Sequence, residues 1–254
     1  MSSPNAPAQP PSPKPTRAAL VVGAGDATGG AIARRFAAEG YHVVAVRRSA
    51  EALLPLIQAI QAAGGRAEGW ACDARKEDQV MALFERIERE IGPLEVVVFN
   101  IGANVRFGIT ETTERVYRKV WEMAALAGFL VGREAARVMR PRGQGSIFFT
   151  GATASLRGSN GFCAFAGAKF ALRALAQSMA RELGPQGIHV AHLVIDGAID
   201  TAFIADNFPE RYATKDQGGI LDPQAIADTY WALHQQPRNA WTHELDLRPW
   251  SENW

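Results

Sequence analysis

Residues 18–40 have the sequence AALVVGAGDATGGAIARRFAAEG, and this stretch decides the fold. The apolar run Ala18–Val22 predicts a buried strand, and the segment after the glycines predicts a helix that ends near Gly40. A glycine-rich turn between a strand and a helix lets the backbone approach an anion, while N–H groups and the helix dipole face it. The turn therefore predicts a site for a dinucleotide pyrophosphate. Its predicted contact residues are Gly23, Gly25, Ala27, Thr28 and Gly29.

Strands and helices alternate along the rest of the chain. Further strands are predicted at His42–Val46, Gly69–Cys72, Val96–Phe99, Ser146–Thr150 and His189–Ile195, with a last short strand in the tail. Helices are predicted at Glu51–Ala63, Lys76–Ile91, Thr112–Met139 and Ala164–Leu183, and from Asp222 onward. The alternation predicts an α/β fold: a single-domain, doubly wound (Rossmann-like) parallel sheet of about seven strands, with helices on both faces.

Composition narrows the class of protein. The chain has 254 residues, 47% of them hydrophobic, which suits one domain over residues 17–254. Residues 1–16 contain six prolines and predict a disordered tail. A formal net charge of +1 gives no reason to expect nucleic acid or a membrane surface as a partner.

The cysteines and histidines do not predict a metal site. Cys72 and Cys163 suit a reducing compartment such as the cytoplasm and form no metal-ligand cluster. His189 and His192 are three residues apart on a predicted strand, so they point to opposite faces and are interpreted as ordinary packing or surface residues.

A second informative stretch is Gly145–Leu172, GSIFFTGATASLRGSNGFCAFAGAKFAL. It resembles the catalytic segment of the short-chain dehydrogenase/reductase family, in which a Ser precedes a Tyr by thirteen residues and the Tyr precedes a Lys by four. Ala152, Phe165 and Lys169 hold these positions here. The family also uses an Asn on the preceding helix, and the matching position, aligned through Phe129, is Ala124. Three of the four catalytic positions are thus apolar.

Other motifs extend the resemblance over about residues 18–250. The family's Thr-Gly-x-x-x-Gly-x-Gly turn matches here with Val22 and Ala27 as departures. Its Asn-Asn-Ala-Gly motif matches at Asn100 and Gly102, beside the cofactor. Its Pro-Gly-x-Ile-x-Thr motif, which grips the nicotinamide carboxamide, matches at Gly197, Ile199 and Thr201, with Asp196 in place of the proline.

The end of the second predicted strand bears on the choice of cofactor. NAD-specific enzymes place an acidic residue there to bind the ribose 2′-hydroxyl, whereas this chain has Val46 followed by Arg47 and Arg48. A guanidinium pairs with a 2′-phosphate, so NADP(H) is favoured over NAD(H). Asp73, after the third strand, either binds the adenine, as the family resemblance implies, or caps the next helix.

Three functions remain open. The first is an NADP(H)-linked oxidoreductase acting on a carbonyl or alcohol, with Asp196, Ser155, Thr153 or water replacing the missing proton donor and Lys169 holding the ribose. The second is a catalytically silent nucleotide-binding protein, and the third is a lyase or isomerase using Lys169 or Asp196.

Residues outside these motifs predict the character of the ligand and the assembly. Asn104 and Arg106 are candidate substrate contacts, and Phe203–Gly219 has the length and aromatic content of a substrate lid. Several aromatic residues favour an apolar or aromatic small molecule, namely Phe107, Trp121, Phe162 and Phe203. The tail resembles a segment that packs on a neighbouring subunit in the family, which predicts a homo-oligomer, either a dimer or a tetramer.

Overall fold

A parallel sheet runs through the centre of residues 16–253, the part of the chain that this computed structural model describes. Its seven strands are β1 (Ala18–Val22), β2 (His42–Arg47), β3 (Arg66–Ala71), β4 (Leu94–Phe99), β5 (Gly145–Thr150), β6 (Ile188–Ile195) and β7 (Glu244–Leu247). They lie in the order β3-β2-β1-β4-β5-β6-β7, and every neighbouring pair is parallel. The order reverses direction at β1, so a crevice opens between β1 and β4 at their carboxyl ends.

The described chain contains nine α-helices, six of which pack on the two faces of the sheet. They are α1 (Thr28–Ala38), α2 (Leu54–Ala62), α3 (Glu77–Glu90), α4 (Glu114–Trp121), α5 (Ala127–Met139), α6 (Cys163–Leu183), α7 (Ala202–Asn207), α8 (Pro209–Tyr212) and α9 (Pro223–His234). One core contains apolar side chains of α3, α5 and α6, and the other contains those of α1, α2 and α9. Because both faces are covered, β1 is buried along its whole length, which explains its continuous apolar sequence.

The predicted elements are found, and their bounds differ where tertiary contacts decide them. The third strand begins at Arg66, three residues before the predicted start, because Arg66–Glu68 pairs in register with β2. Gly69 within it is closely covered, since a Cβ there would lie 2.9 Å from Leu53 Cβ. The predicted helix Thr112–Met139 is divided into α4 and α5 by a π-helical turn at Glu122–Leu126.

Two further predictions concern the edges of the molecule and the histidines. The predicted disordered tail lies outside the described residues except for Thr16, whose hydroxyl accepts a hydrogen bond from Arg66 at 3.3 Å. His189 stacks on Trp241 with ring centroids 4.9 Å apart, and His192 lies 2.9 Å from a carboxylate oxygen of Glu244. Both histidines are buried and serve packing.

Candidate active site

A cavity of about 600 Å³ lies at the crevice between β1 and β4. The glycine turn after β1 forms one wall, and the segments after β4, β5 and β6 form the others. Lys169 and Phe165 of α6 also line it. Because parallel strands end at the same edge of the sheet, residues far apart in sequence meet in this one cavity.

The glycine turn has the geometry that a bound pyrophosphate requires. Gly23 has φ +89°, and a Cβ on Gly29 would lie 2.3 Å from the Gly23 carbonyl oxygen, so both positions require glycine. A Cβ on Gly25 would meet no atom within 4 Å, which shows that this part of the turn faces open space. Ala27, at the N-cap of α1, has φ −99°, which lies outside the left-handed region that favours glycine.

The N-terminus of α1 is left available for an anion. No side chain caps it, and its first turn carries no acidic residue. Thr28 and Gly29, at its start, line the cavity together with Ala27. N–H groups and the positive end of the helix dipole therefore face the cavity, as a nucleotide pyrophosphate requires.

A second cavity, of about 260 Å³, continues from the glycine turn past the ends of β2 and β3. Arg47, Arg48, Asp73 and Arg75 line it. Arg47 lies 3.8 Å from the carboxylate of Asp26, which is 98% exposed, so this ion pair is solvated and weak. Arg47 and Arg48 thus remain available to a phosphate in this cavity.

Asp73 does not cap α3, so that alternative is wrong. The helix starts after Lys76, whose side chain forms no cap, and Asp73 instead binds Arg75 through both carboxylate oxygens, at 2.9 and 2.6 Å. The Arg75 guanidinium lowers the pKa of the Asp73 carboxyl group. The Asp73 carboxylate pairs with Arg75 and therefore does not cap the helix. The sequence pattern that suggested a cap does not show this ion pair.

Lys169 lies at the floor of the main cavity and is 3% exposed. Its ammonium donates hydrogen bonds to the carbonyl oxygen of Thr150 at 2.8 Å and to that of Ile101 at 3.3 Å. Burial lowers the pKa of Lys169 from 10.5 to about 8, because desolvation disfavours the charged form. A hydroxyl-bearing ligand in this cavity would meet a fixed hydrogen-bond donor.

The three apolar positions of the expected relay surround this lysine unequally. Ala152 and Phe165 line the cavity, and the Phe165 ring centroid lies 5.9 Å from the Lys169 nitrogen. Ala124 lies within the π-helical turn, is fully buried and belongs to a small apolar cluster that includes Phe165. None of the three side chains can exchange a proton.

Polar groups nearby are arranged differently from the sequence expectation. Thr153 lines the cavity, and its hydroxyl donates a 2.5 Å hydrogen bond to the carboxylate of Asp196. Asp196 is 3% exposed, lies behind Thr153, and also has Arg248 within 3.9 Å. Ser155 is fully buried and does not line the cavity; its hydroxyl accepts the N–H of Ala152 at 3.1 Å.

The remaining predicted site residues divide between two locations. Asn100, Gly102, Gly197 and Ile199 line the main cavity, and Asn100 donates to the Gly23 carbonyl oxygen at 3.1 Å. Thr201 lines a neighbouring depression and caps α7 by accepting the N–H of Ile204 at 3.1 Å.

The candidate substrate contacts are also split. Asn104 and Phe162 line the cavity, whereas Arg106 packs beside it over the Phe162 ring, 5.9 Å from the centroid. Two cavity residues, Arg157 and Ser159, were not singled out from the sequence. Both residues lie in the loop after β5, between Ala152 and Phe165, and this location is the sequence feature that could have identified them.

Comparisons with known proteins agree with this architecture. The family model for short chain dehydrogenases matches residues 17–211. The chain is 53% identical to a short-chain dehydrogenase of known crystal structure from Rhodopseudomonas palustris, with a TM-score of 0.80 over 94% of this chain and 100% of that one. It is 25% identical to a metagenomic short-chain oxidoreductase crystallised with NADP, with a TM-score of 0.76 over 92% and 97% of the two chains.

Sequence comparison with curated proteins gives the same answer. The chain is 34% identical over 173 residues to the 3beta-hydroxysteroid dehydrogenase of Mediterraneibacter gnavus, a region that covers 66% of this chain and 61% of the relative. The family match covers the glycine turn, strands β1 to β6 and the Lys169 segment, and it ends before β7. This chain therefore belongs to the short-chain dehydrogenase/reductase family.

Proposed function

We propose that this protein is an NADP(H)-dependent oxidoreductase that interconverts a carbonyl and an alcohol, with the Thr153–Asp196 pair as the route for the proton. One observation carries the proposal: the 2.5 Å hydrogen bond from Thr153 to Asp196 begins in the cavity that also contains Lys169 and the glycine turn. When bound, the nicotinamide supplies or accepts the hydride. The residues of this chain must bind the cofactor and the substrate and must transfer the proton.

The residues that would hold the cofactor are those around the two cavities. The turn after β1 and the uncapped start of α1 suit the pyrophosphate, and Lys169 suits the ribose hydroxyls. Arg47 and Arg48 favour NADP(H), because a guanidinium pairs with the 2′-phosphate. The metagenomic relative crystallised with NADP supports that choice.

The proton route follows from the direction of the hydrogen bond. In alcohol oxidation, the Thr153 oxygen accepts the proton of the substrate hydroxyl while its own proton passes to the Asp196 carboxylate. Carbonyl reduction runs through the same atoms in reverse, with a proton passing from the Asp196 carboxyl group to Thr153 and from the Thr153 hydroxyl to the substrate oxygen. Phe165 and Ala152 take no part in this route, because neither has an exchangeable side-chain proton.

The proposal predicts a measurable rate effect. General acid–base catalysis contributes about 10²–10⁴-fold, so Thr153→Val should lower kcat by a factor in that range. The dissociation constant for NADPH should stay unchanged, because the substitution leaves the glycine turn and Lys169 intact. Thr229→Val is the matched control, since Thr229 is a half-buried residue of α9, outside the cavity, whose hydroxyl donates to the Ala225 carbonyl oxygen.

The first measurement is titration of the protein with NADPH and NADH, followed by a carbonyl and alcohol panel. Selective NADPH binding with turnover, and its loss in Thr153→Val but not Thr229→Val, supports the proposal. Failure to bind either nucleotide refutes the redox function. Turnover that survives Thr153→Val and Asp196→Asn refutes this proton route and favours a water molecule as donor.

A silent nucleotide-binding protein is the second candidate. The observation that favours it is the apolar character of Ala124, Ala152 and Phe165, all at positions where the family resemblance implies polar groups. It predicts tight NADPH binding with no turnover across the panel. Substrate conversion without a change in nicotinamide absorbance would instead favour the lyase or isomerase hypothesis.

Location and assembly remain predictions. None of the helices within residues 16–253 is long and apolar enough to cross a membrane. Cys72 and Cys163 are both unpaired thiols, which is typical of a reducing compartment such as the cytoplasm. The homo-oligomer is proposed on the family resemblance and is tested by light scattering of the purified protein.

A further inference from the structure

The charged side chains that line the main cavity differ in whether they already have a hydrogen-bond or ion-pair partner. Asp26 lies at the glycine turn and faces Arg47 at 3.8 Å. Lys169 is buried and bonded to two carbonyl oxygens. Within the described chain, the Arg157 guanidinium has neither a carboxylate partner nor a hydrogen bond, although it lines the same cavity. The Arg157 guanidinium is therefore available to bind an anionic ligand.

A second arginine lies beside the same loop. Arg106 packs its aliphatic stem on Gly161, where an added Cβ would lie 2.9 Å from Arg106 Cγ. Its guanidinium lies over the ring of Phe162, 5.9 Å from the centroid, and no carboxylate of the described residues pairs with it. A 2.9 Å hydrogen bond from the Phe107 N–H to the Gly161 carbonyl oxygen fixes the two segments together. Arg106 thus packs against Gly161 and Phe162 of the same loop that places Arg157 on the cavity wall.

The acidic side chains nearest in sequence are already engaged elsewhere. Glu111 accepts the N–H of Gly108 at 3.3 Å, and Glu114 forms an ion pair with Arg118. Neither Arg106 nor Arg157 forms an ion pair with a carboxylate of the described residues, so both guanidiniums can still bind an anion.

Between this rim and Lys169 the cavity wall is largely apolar. The residues that form it are Ala152, Ala154, Phe162, Phe165, Ile195 and Ile199. An apolar wall favours the body of a hydrophobic ligand, since burying apolar surface stabilises the complex. A guanidinium at the rim favours a carboxylate, which it binds through two parallel hydrogen bonds.

We propose that the substrate is an amphipathic carbonyl or alcohol compound whose apolar body lies against Phe162 and Phe165 and whose carboxylate binds Arg157, with Arg106 adding to the attraction. This inference rests on the proposed oxidoreductase function, because it assigns the substrate of that same cavity. It goes further by requiring an anionic group remote from the reacting carbon.

The test compares two probes of nearly equal shape, 4-(3-oxobutyl)benzoate and 4-(3-oxobutyl)benzamide. Each is titrated by calorimetry into protein saturated with NADP⁺, a combination in which the ketone cannot be reduced. We expect the carboxylate to bind about tenfold more tightly than the amide, as a charge-assisted hydrogen bond allows. Arg157→Gln should remove that preference without changing the affinity for the amide, and Arg106→Gln should reduce it.

Arg181→Gln is the matched control, since Arg181 is exposed near the far end of α6 and bonds only the Gln177 carbonyl oxygen. It should leave both affinities unchanged. Equal affinity of the wild-type protein for the two probes, or no binding of the carboxylate, overturns the inference. A preference for the carboxylate that survives Arg157→Gln overturns the assignment to Arg157.

The two proposals can fail separately. Turnover of both ketones with NADPH, without a preference for the carboxylate, leaves the oxidoreductase function in place and refutes the anionic substrate. A carboxylate preference that depends on Arg157, without turnover of either ketone, supports the ligand class and counts against the oxidoreductase function.

Discussion

Replacing Lys169 by methionine should change how the stability of the protein depends on pH. The ammonium is buried, and burial lowers its pKa from 10.5 to about 8. Between these two values the unfolded chain holds a proton that the folded chain has lost. Stability therefore rises with pH across this window, and below pH 8 the buried charge is destabilising to its full extent. Methionine has a similar length and no charge, so Lys169→Met should abolish this pH dependence.

The magnitude follows from the size of the shift. A difference of 2.5 units corresponds to about 3 kcal/mol in the free energy of unfolding. Between pH 7 and pH 10, the stability of the wild-type protein relative to Lys169→Met should increase by about 2–3 kcal/mol. The hydrogen bonds from Lys169 to Thr150 and Ile101 add an offset between the proteins, because methionine cannot make them.

Urea unfolding of both nucleotide-free proteins at pH 7, 8, 9 and 10 measures this difference. Other titrating groups are common to the two proteins and cancel. Lys119→Met is the matched control, because Lys119 is exposed on α4 and its loss should leave the pH dependence unchanged. A wild-type minus Lys169→Met difference that stays constant from pH 7 to pH 10 would refute the reasoning, since it would mean that water reaches the ammonium.

Three further outcomes test the cofactor site and the missing relay. Gly29→Ala places a Cβ 2.3 Å from the Gly23 carbonyl oxygen, so thermal stability and NADPH binding should both fall, whereas Gly184→Ala, with no atom within 4 Å, should be tolerated. Arg47→Ala should weaken NADPH binding about tenfold in a titration and leave NADH binding unchanged. Ala152→Ser combined with Phe165→Tyr should raise NADPH-dependent reduction of activated ketones in a spectrophotometric assay. A folded, NADPH-binding double variant without any gain would show that the cavity itself has diverged.

Much of the fold could be predicted from local sequence because each element carries a local signal. The stretch at residues 18–40 combines a buried strand, a turn that requires glycine and a helix, and the structure contains all three. The predicted helix Thr112–Met139 is likewise present, although a π-helical turn divides it. Strand ends were less predictable, as at Arg66, because pairing with a neighbouring strand determines them and that partner is distant in sequence.

The location of the site could be predicted from the sequence, whereas the hydrogen bonds between its side chains could not. Residues at the carboxyl ends of parallel strands must meet, so the cavity follows from the order of the elements. Which side chains then bond one another depends on directions that a sequence does not specify. Ser155 follows Ala152 by three residues, yet it turns inward to the Ala152 N–H and away from the cavity. Thr153 and Asp196, by contrast, are 43 residues apart and meet at 2.5 Å.

Ala152 and Phe165 line the same cavity as the buried ammonium of Lys169. Phe165 and Ala152 place no hydroxyl group in the cavity, and the Lys169 ammonium hydrogen-bonds to two backbone carbonyl oxygens. This desolvation lowers the pKa to about 8, and at neutral pH most of the lysine still carries its proton. A protonated lysine retains its value as a donor to ribose hydroxyls and has no neighbouring phenol to activate. Under the proposed oxidoreductase function, proton transfer would need another polar group on the cavity wall, and the group we propose is Thr153, which is hydrogen-bonded to buried Asp196.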